Sequence, residues 1–237
     1  KDGDLDLYVL NNSYQSIGSF NLRKNERPKR DSLGGDKLLR NDNNKFVDVS
    51  EQAGIYGSII GFGLGVTVGD ANNDNWPDIF VSNDFFERDY LYLNNHDGTF
   101  HEALTEQIKS ISGASMGADL ADINNDGFPD LMVTQTKGTV NLTTTTQVYI
   151  APEPMKYPDK PTATFTAEGS IASPSLLDVN NDGMRDMVVI RIPFGLKNIV
   201  NYFMRRKVSV TAQVYLFNGK DFGAKPSFET DLTLDAP

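Results

Sequence analysis

The sequence predicts an all-β chain built from a repeated four-stranded unit, and three observations carry that prediction. A nine-residue loop rich in aspartate and asparagine recurs as Asp70-Ala71-Asn72-Asn73-Asp74-Asn75-Trp76-Pro77-Asp78, Asp122-Ile123-Asn124-Asn125-Asp126-Gly127-Phe128-Pro129-Asp130 and Asp178-Val179-Asn180-Asn181-Asp182-Gly183-Met184-Arg185-Asp186. The first aspartates of these loops lie 52 and 56 residues apart. Each loop runs straight into an apolar segment, Ile79-Phe80-Val81, Leu131-Met132-Val133 or Met187-Val188-Val189, and a second pair of alternating segments follows. Four short strands per unit of about fifty residues is the pattern of a β-propeller blade.

Taken in order, the chain opens partway through a fourth loop, Asp2-Gly3-Asp4-Leu5-Asp6, before Leu7-Tyr8-Val9. Strand candidates precede the complete loops at Gly65 to Gly69, Gly117 to Ala121 and Pro174 to Leu177, so each loop joins the first two strands of a blade. The second hairpins are read at Lys37 to Arg40 with Lys45 to Val47, Tyr90 to Leu93 with Thr99-Phe100, Gln147 to Ile150 with Ala163 to Phe165, and Gln213 to Leu216 with Phe222. The expected organisation is one propeller segment of about four blades with approximate bounds 1–58, 59–112, 113–169 and 170–237. The first blade lacks its innermost strand, which predicts that the segment belongs to a larger ring or completes one by self-association. Because residue 1 already lies inside a motif, the natural N-terminus is expected to be missing, together with any signal peptide.

Oxygen side chains at positions 1, 3, 5 and 9, with a turn residue at position 6, suit Ca²⁺, which takes six to eight oxygens at about 2.3–2.6 Å. Asp, Asn and Gly also make good turns, but three copies in one frame favour the metal. An EF-hand needs a glutamate at position 12 and flanking helices; position 12 here is Val81, Val133 or Val189, inside a strand.

The net charge of -10 argues against nucleic acid. Twelve of the 32 acidic residues sit in the four loops, so bound calcium would offset much of that charge. No apolar run approaches the roughly eighteen residues of a membrane span. The absence of cysteine excludes disulfides and thiolate chemistry.

Three stretches interrupt the minimal repeat between the second and third strands of a blade. They are the basic residues 13–36 with Arg23, Lys24, Arg27, Lys29 and Arg30, the Thr-rich residues 137–146, and residues 194–207. The last places Leu196, Ile199, Val200 and Phe203 at helical spacing ahead of Arg205, Arg206 and Lys207, as an amphipathic helix would. All three should emerge on the face opposite the acidic loops. The basic run reads as a solvated loop, and the strand tyrosines Tyr90, Tyr92, Tyr149 and Tyr215 as core. His96 and His101 read as exposed turn residues, and Glu87, Glu102 and Glu106 show no recognisable partner spacing. Asn11-Asn12-Ser13 and Asn141-Leu142-Thr143 match the glycosylation acceptor pattern. Composition shifts after about Thr134 towards Pro, Thr and Met, through drift or the joining of two related segments.

Phe62-Gly63, Gly69 to Asp74 and Tyr92-Leu93-Asn94-Asn95-His96-Asp97-Gly98-Thr99-Phe100 resemble FG-GAP or VCBS repeats, the calcium-loop blades of integrin alpha-subunit propellers and many bacterial secreted proteins. The first half, with Phe46 to Ile55, is similar to cartilage-acidic-protein-like bacterial members. The resemblance implies a ring of seven or eight blades in full-length relatives. By motif position it implies calcium ligands at Asp70, Asn72, Asp74, the Trp76 carbonyl and Asp78; at Asp122, Asn124, Asp126, the Phe128 carbonyl and Asp130; and at Asp178, Asn180, Asp182, the Met184 carbonyl and Asp186. Asn75 stands where the family has glycine, and the first loop lacks positions 1 and 3, leaving Asp2, Asp4 and Asp6 as a truncated fourth site.

The function expected from these readings is a non-catalytic, calcium-stabilised binding or adhesion module, extracellular, periplasmic or at the cell surface. Its partner, a protein or glycan, is expected on the face opposite the loops. The alternatives are a polysaccharide lyase or hydrolase on the same scaffold and a purely structural scaffold fragment.

Overall fold

The computed structural model describes residues 3–13, 25–85, 87–108, 115–137, 143–168, 170–171, 174–192 and 196–235. They form four antiparallel sheets, and in the first three each strand pairs with the next in sequence. The first holds β1 (Leu7–Val9), β2 (Lys37–Asn41) and β3 (Phe46–Asp48), and the second holds β4 (Gly63–Gly69), β5 (Asp78–Asn83), β6 (Tyr90–Asn94) and β7 (Phe100–Glu102). The one-turn helix α1 (Leu104–Gln107) follows, then a third sheet of β8 (Ser115–Ala121), β9 (Asp130–Lys137), β10 (Thr143–Tyr149) and β11 (Ala163–Glu168). In the fourth, β12 (Ser170–Ile171) and β13 (Ser175–Leu177) both pair with β14 (Asp186–Ile192); helix α2 (Leu196–Arg205), β15 (Lys207–Tyr215) and β16 (Phe228–Asp235) complete it. These are four consecutive blades of β-propeller type, the first with three strands among the described residues.

The alternation of side chains along each second strand binds the blades together. Ile79 and Val81 of β5 pack with Leu38, Val49, Ala53 and Ile55 of the first blade, while Phe80 between them joins Leu131, Val133 and Tyr149 of the third. Met132, between Leu131 and Val133, turns the other way and packs with Met187 and Val189 of the fourth. A one-residue slip of any second strand would exchange its two faces, so the register is fixed by two hydrophobic cores at once. Tyr90, Tyr92 and Tyr149 are buried in these interfaces, as core. The first strands approach closely through small residues: a Cβ on Gly65 would lie 3.4 Å from the Gly117 Cα, and Thr67 Oγ1 donates to the Ala118 carbonyl at 2.7 Å.

Several expectations need correction. The fourth strand of the last blade is not at Phe222, which makes only an isolated bridge with Phe217; β16 instead pairs with β15 from Val214↔Phe228 to Lys207↔Asp235. A nine-residue β15 needs a partner of matching length, and the segment around Phe222 lies beyond its end. Thr143 to Thr146 are not an insertion but part of β10, with Thr134 and Thr146 hydroxyls 3.1 Å apart and those of Thr136 and Thr144 3.0 Å apart. Residues 138–142 lie outside the described residues, as do Asp2, Arg23 and Lys24. The rest of the basic run is anchored to the fold: Arg30 Nη1 donates to the Ile55 carbonyl at 2.6 Å, and Arg27 Nε donates to the fully buried Glu87 carboxylate at 2.6 Å. Glu102 pairs with Arg88, and Glu106 lies 3.0 Å from His101 Nε2, so none of these glutamates lacks a partner. Helix α2 forms where the periodicity placed it, with Val200, Phe203 and Met204 exposed. Among the described residues no helix is long and apolar enough to cross a membrane.

Asp89, at the buried end of the β5–β6 connection, accepts the Asn83 N–H at 2.8 Å. Burial pushes its carboxyl up to about 7 despite that bond. Since an unfolded aspartate titrates near 3.9, the native state holds a proton that the unfolded chain has lost, and stability falls as pH rises from about 4 to about 7. Asp89→Asn, which keeps an acceptor for Asn83, is expected to flatten this decline, so that the variant melts progressively higher than the wild type between pH 4.5 and 8; parallel melting-versus-pH curves would count against it.

Candidate metal centre

The three complete loops share one hydrogen-bond plan. The position-1 carboxylate receives two backbone N–H groups: Asp70 from Asp74 and Asn75 at 2.9 and 2.7 Å, Asp122 from Asp126 and Gly127 at 3.1 and 2.9 Å, and Asp178 from Asp182 and Gly183 at 3.2 and 3.0 Å. The amides of Asn72, Asn124 and Asn180 each donate to the following Asp74, Asp126 or Asp182 at 2.8 Å. Those aspartates in turn accept the N–H of Trp76, Phe128 or Met184 at 2.7, 2.9 and 2.8 Å. Two left-handed residues bend each loop. Position 6 is Asn75, Gly127 or Gly183 at φ 67°, 90° and 90°, so asparagine takes the glycine conformation in the first complete loop. Position 4 is Asn73, Asn125 or Asn181 at φ 61°, 59° and 60°. The sequence signal for that second bend is an asparagine at the same place in all three loops, a residue type that also suits a left-handed turn.

Position 9 behaves differently. Asp78, Asp130 and Asp186 are fully buried, and each spans two backbone amides from separate parts of its blade. Asp78 takes Ala71 N–H and Asn94 N–H, both at 2.8 Å; Asp130 takes Ile123 and Ala151, both at 2.8 Å; Asp186 takes Val179 at 3.1 Å and Phe217 at 2.9 Å. In each case the carboxylate ties position 2 of the loop to the end of the blade's third strand. Asp6 makes the corresponding bond to Asn41 N–H at 2.8 Å, and Gly3 has φ 103°, so the truncated loop keeps the later part of the plan.

Among the described residues, no three His, Asp or Glu side chains converge closely enough to hold a metal. The donor set nonetheless suits a hard cation. Every side-chain donor at positions 1, 3, 5 and 9 is an oxygen, and a carboxylate oxygen that accepts a single hydrogen bond, as Asp74 Oδ1 does from Trp76, retains a second lone pair. Burial pushes the Asp130 carboxyl up to about 6; bonds from Ala151 and Ile123 oppose this, and the charges of Asp126 and Asp122 add to it. Burial likewise raises Asp78, with Asp74 adding repulsion. A cation between these carboxylates would replace repulsion with attraction.

Adjacent loops also touch, through Asn73 Nδ2, which donates to the Gly127 carbonyl at 3.2 Å. Loop 70–78 carries a further contact from outside itself. His96 Nε2 lies 2.8 Å from Asp74 Oδ2, and its ring stacks on Trp76 with centroids 4.8 Å apart at 16°. Desolvation raises the Asp74 carboxyl, but the bonds from His96, Trp76 and Asn72 together outweigh it and hold the group below the usual carboxylate range.

Residues 70–133, from the first aspartate of one loop to the strand that follows the next, match the family model of the FG-GAP-like repeat. This segment is an FG-GAP-like repeat. Human integrin alpha-7 is 40% identical over 84 residues, 31% of this chain and 7% of the relative; mouse integrin alpha-3 is 28% identical over 119 residues, 45% of this chain and 11% of the relative. The chain thus spans about a tenth of the length of these curated relatives. Among solved structures, a lectin of Agrocybe aegerita, described as recognising non-reducing terminal N-acetylglucosamine, aligns with a TM-score of 0.39 at 15% identity, over 84% of this chain and 51% of that one. The FG-GAP-like match falls on the two loops that Asn73 links.

The two classes of loop aspartate should separate on mutation. Asp130→Ala strips the partner from two buried amides, at about 1–3 kcal/mol each, and should lower the melting temperature by several degrees even in chelator. Asp126→Ala should shift the calcium titration more than the chelator-state melt. Equal effects of the two variants in chelator would contradict the division of roles.

Proposed function

We propose that residues 1–237 form a single propeller segment acting as a calcium-stabilised binding or adhesion module outside the cell or at its surface. The observation that carries this reading is the threefold repetition of one oxygen-donor loop on consecutive blades, one pair of which lies in the FG-GAP-like segment. Each cation would be held by positions 1, 3, 5 and 9 and the carbonyl at position 7, in the three complete loops; Asp2, Asp4 and Asp6 would form at best a partial site. The similarity to integrin alpha chains supports adhesion over catalysis.

The end blades support a larger ring. On the first blade Tyr8, Leu38 and Val47 pack against the second, while Leu7 and Phe46, on the opposite face, are 45% and 50% exposed. On the last, Met187 and Val189 pack inward, while Ile190, Phe228 and Leu234 are 46%, 60% and 52% exposed. Apolar faces of this kind suit further blades, or a second copy completing the ring. The anchored residues 25–36 and α2 lie away from the calcium loops, on the face proposed to receive a protein or glycan partner.

Metal that binds only the native state stabilises by RT ln(1 + [L]/Kd), about 2.7 kcal/mol at a hundredfold excess over Kd. Millimolar calcium should therefore raise the melting temperature by several degrees over a chelator control, and superposed curves would sink the structural-calcium reading. On a panel of extracellular proteins and glycans, calcium-dependent retention without cleavage is expected; release of unsaturated or newly reducing products would favour the polysaccharide-cleaving alternative.

A further inference from the structure

We infer that His96 is a positioning residue for loop 70–78, fixing the Asp74 carboxylate from outside the loop and thereby tightening calcium binding there. The inference rests on the calcium reading above.

His96 belongs to the turn between β6 and β7, and its placement is determined by the loop that it serves. Asp78 accepts the Asn94 N–H at 2.8 Å, Asn94 Oδ1 accepts the His96 N–H at 2.9 Å, and His96 Nε2 returns to Asp74 Oδ2 at 2.8 Å. Asn94 Nδ2 also donates to the Pro77 carbonyl at 3.1 Å. Positions 5, 8 and 9 of the loop are therefore cross-linked through one hairpin. A carboxylate only accepts, so Nε2 carries the hydrogen and the imidazole donates. Flat stacking on Trp76 fixes the ring plane.

His96 holds a left-handed φ of 68°, which for a residue other than glycine carries a conformational cost that the Asn94, Asp74 and Trp76 contacts must offset. The carboxylate it holds is the one whose other oxygen receives the Trp76 N–H, next to the carbonyl assigned as a ligand. A hydrogen-bond donor behind a ligating carboxylate orients it and reduces the ordering left for the metal to impose, and removing such partners typically costs 10–100-fold in metal affinity. No histidine serves the other two loops in this way among the described residues: the chain's second and last histidine, His101, is bound to Glu106.

Trp76 is the sole tryptophan, so its emission reports this loop alone. The test is a calcium titration of the full chain, followed by Trp76 fluorescence and by calorimetry, for the wild type, His96→Ala and His96→Gln. His96→Ala is expected to raise the Trp76-reported midpoint about tenfold, to leave the remaining calorimetric sites unchanged, and to be partly rescued by His96→Gln, which restores a donor. A midpoint within about twofold of wild type in His96→Ala, with calcium still altering Trp76 emission, overturns the role of His96 and leaves the calcium reading standing. A wild type that shows neither an emission change nor binding heat at millimolar calcium overturns the calcium reading and this inference with it.

Discussion

Each complete blade depends on one buried carboxylate bridging two backbone amides that no neighbouring strand satisfies. Asp78, Asp130 and Asp186 fasten the start of the acidic loop to the chain leaving the third strand, and the three carboxylates themselves are fully buried. Burying a carboxylate is costly, and two N–H donors per group are what make it tolerable. Once the clamp is set, β5, β9 and β14 begin at a fixed point, and their alternating side chains are delivered to the correct inter-blade core. The acidic loop is therefore first an element of blade architecture. The proposed cation binding would use the oxygens that this architecture has already gathered.

Much of this was legible in the sequence because it is local. The period-two strands, the left-handed turn at position 6 and the hairpins at Asn94 to Gly98 depend on residues within about ten positions of one another. What could not be read depends on distant partners. Nothing near Asp130 announces that it will meet the amide of Ala151, nor does anything near Asp186 announce Phe217. Arg27 and Glu87 are sixty positions apart, so the basic run looked solvated when part of it is pinned into the fold. The threonines of β10 looked like loop because composition hides register. The error at Phe222 is of a different kind: the turn at Asn218 to Asp221 was real, but it closes on a single bridge before the chain reaches β16.

The loops also differ among themselves in a way that the shared plan conceals. Asn73 couples the first complete loop to the second, and His96 with Trp76 braces the first from its own hairpin. The second and third loops have glycine at position 6 where the first has asparagine, so the first carries more backbone cost and more external support. The repeated loops are linked, between the first two complete copies, through Asn73, whereas residues 25–36 and α2 interrupt the repeat between the second and third strands of their blades.

The most direct measurement is a crystal structure of the chain grown with calcium, read through its anomalous difference map. Three peaks are predicted, one within each of loops 70–78, 122–130 and 178–186, with the position-9 aspartates still bonded to their paired amides. A map without density in these loops at millimolar calcium, or with cations bound elsewhere on the blades, would contradict the assignment of the loops as the metal sites.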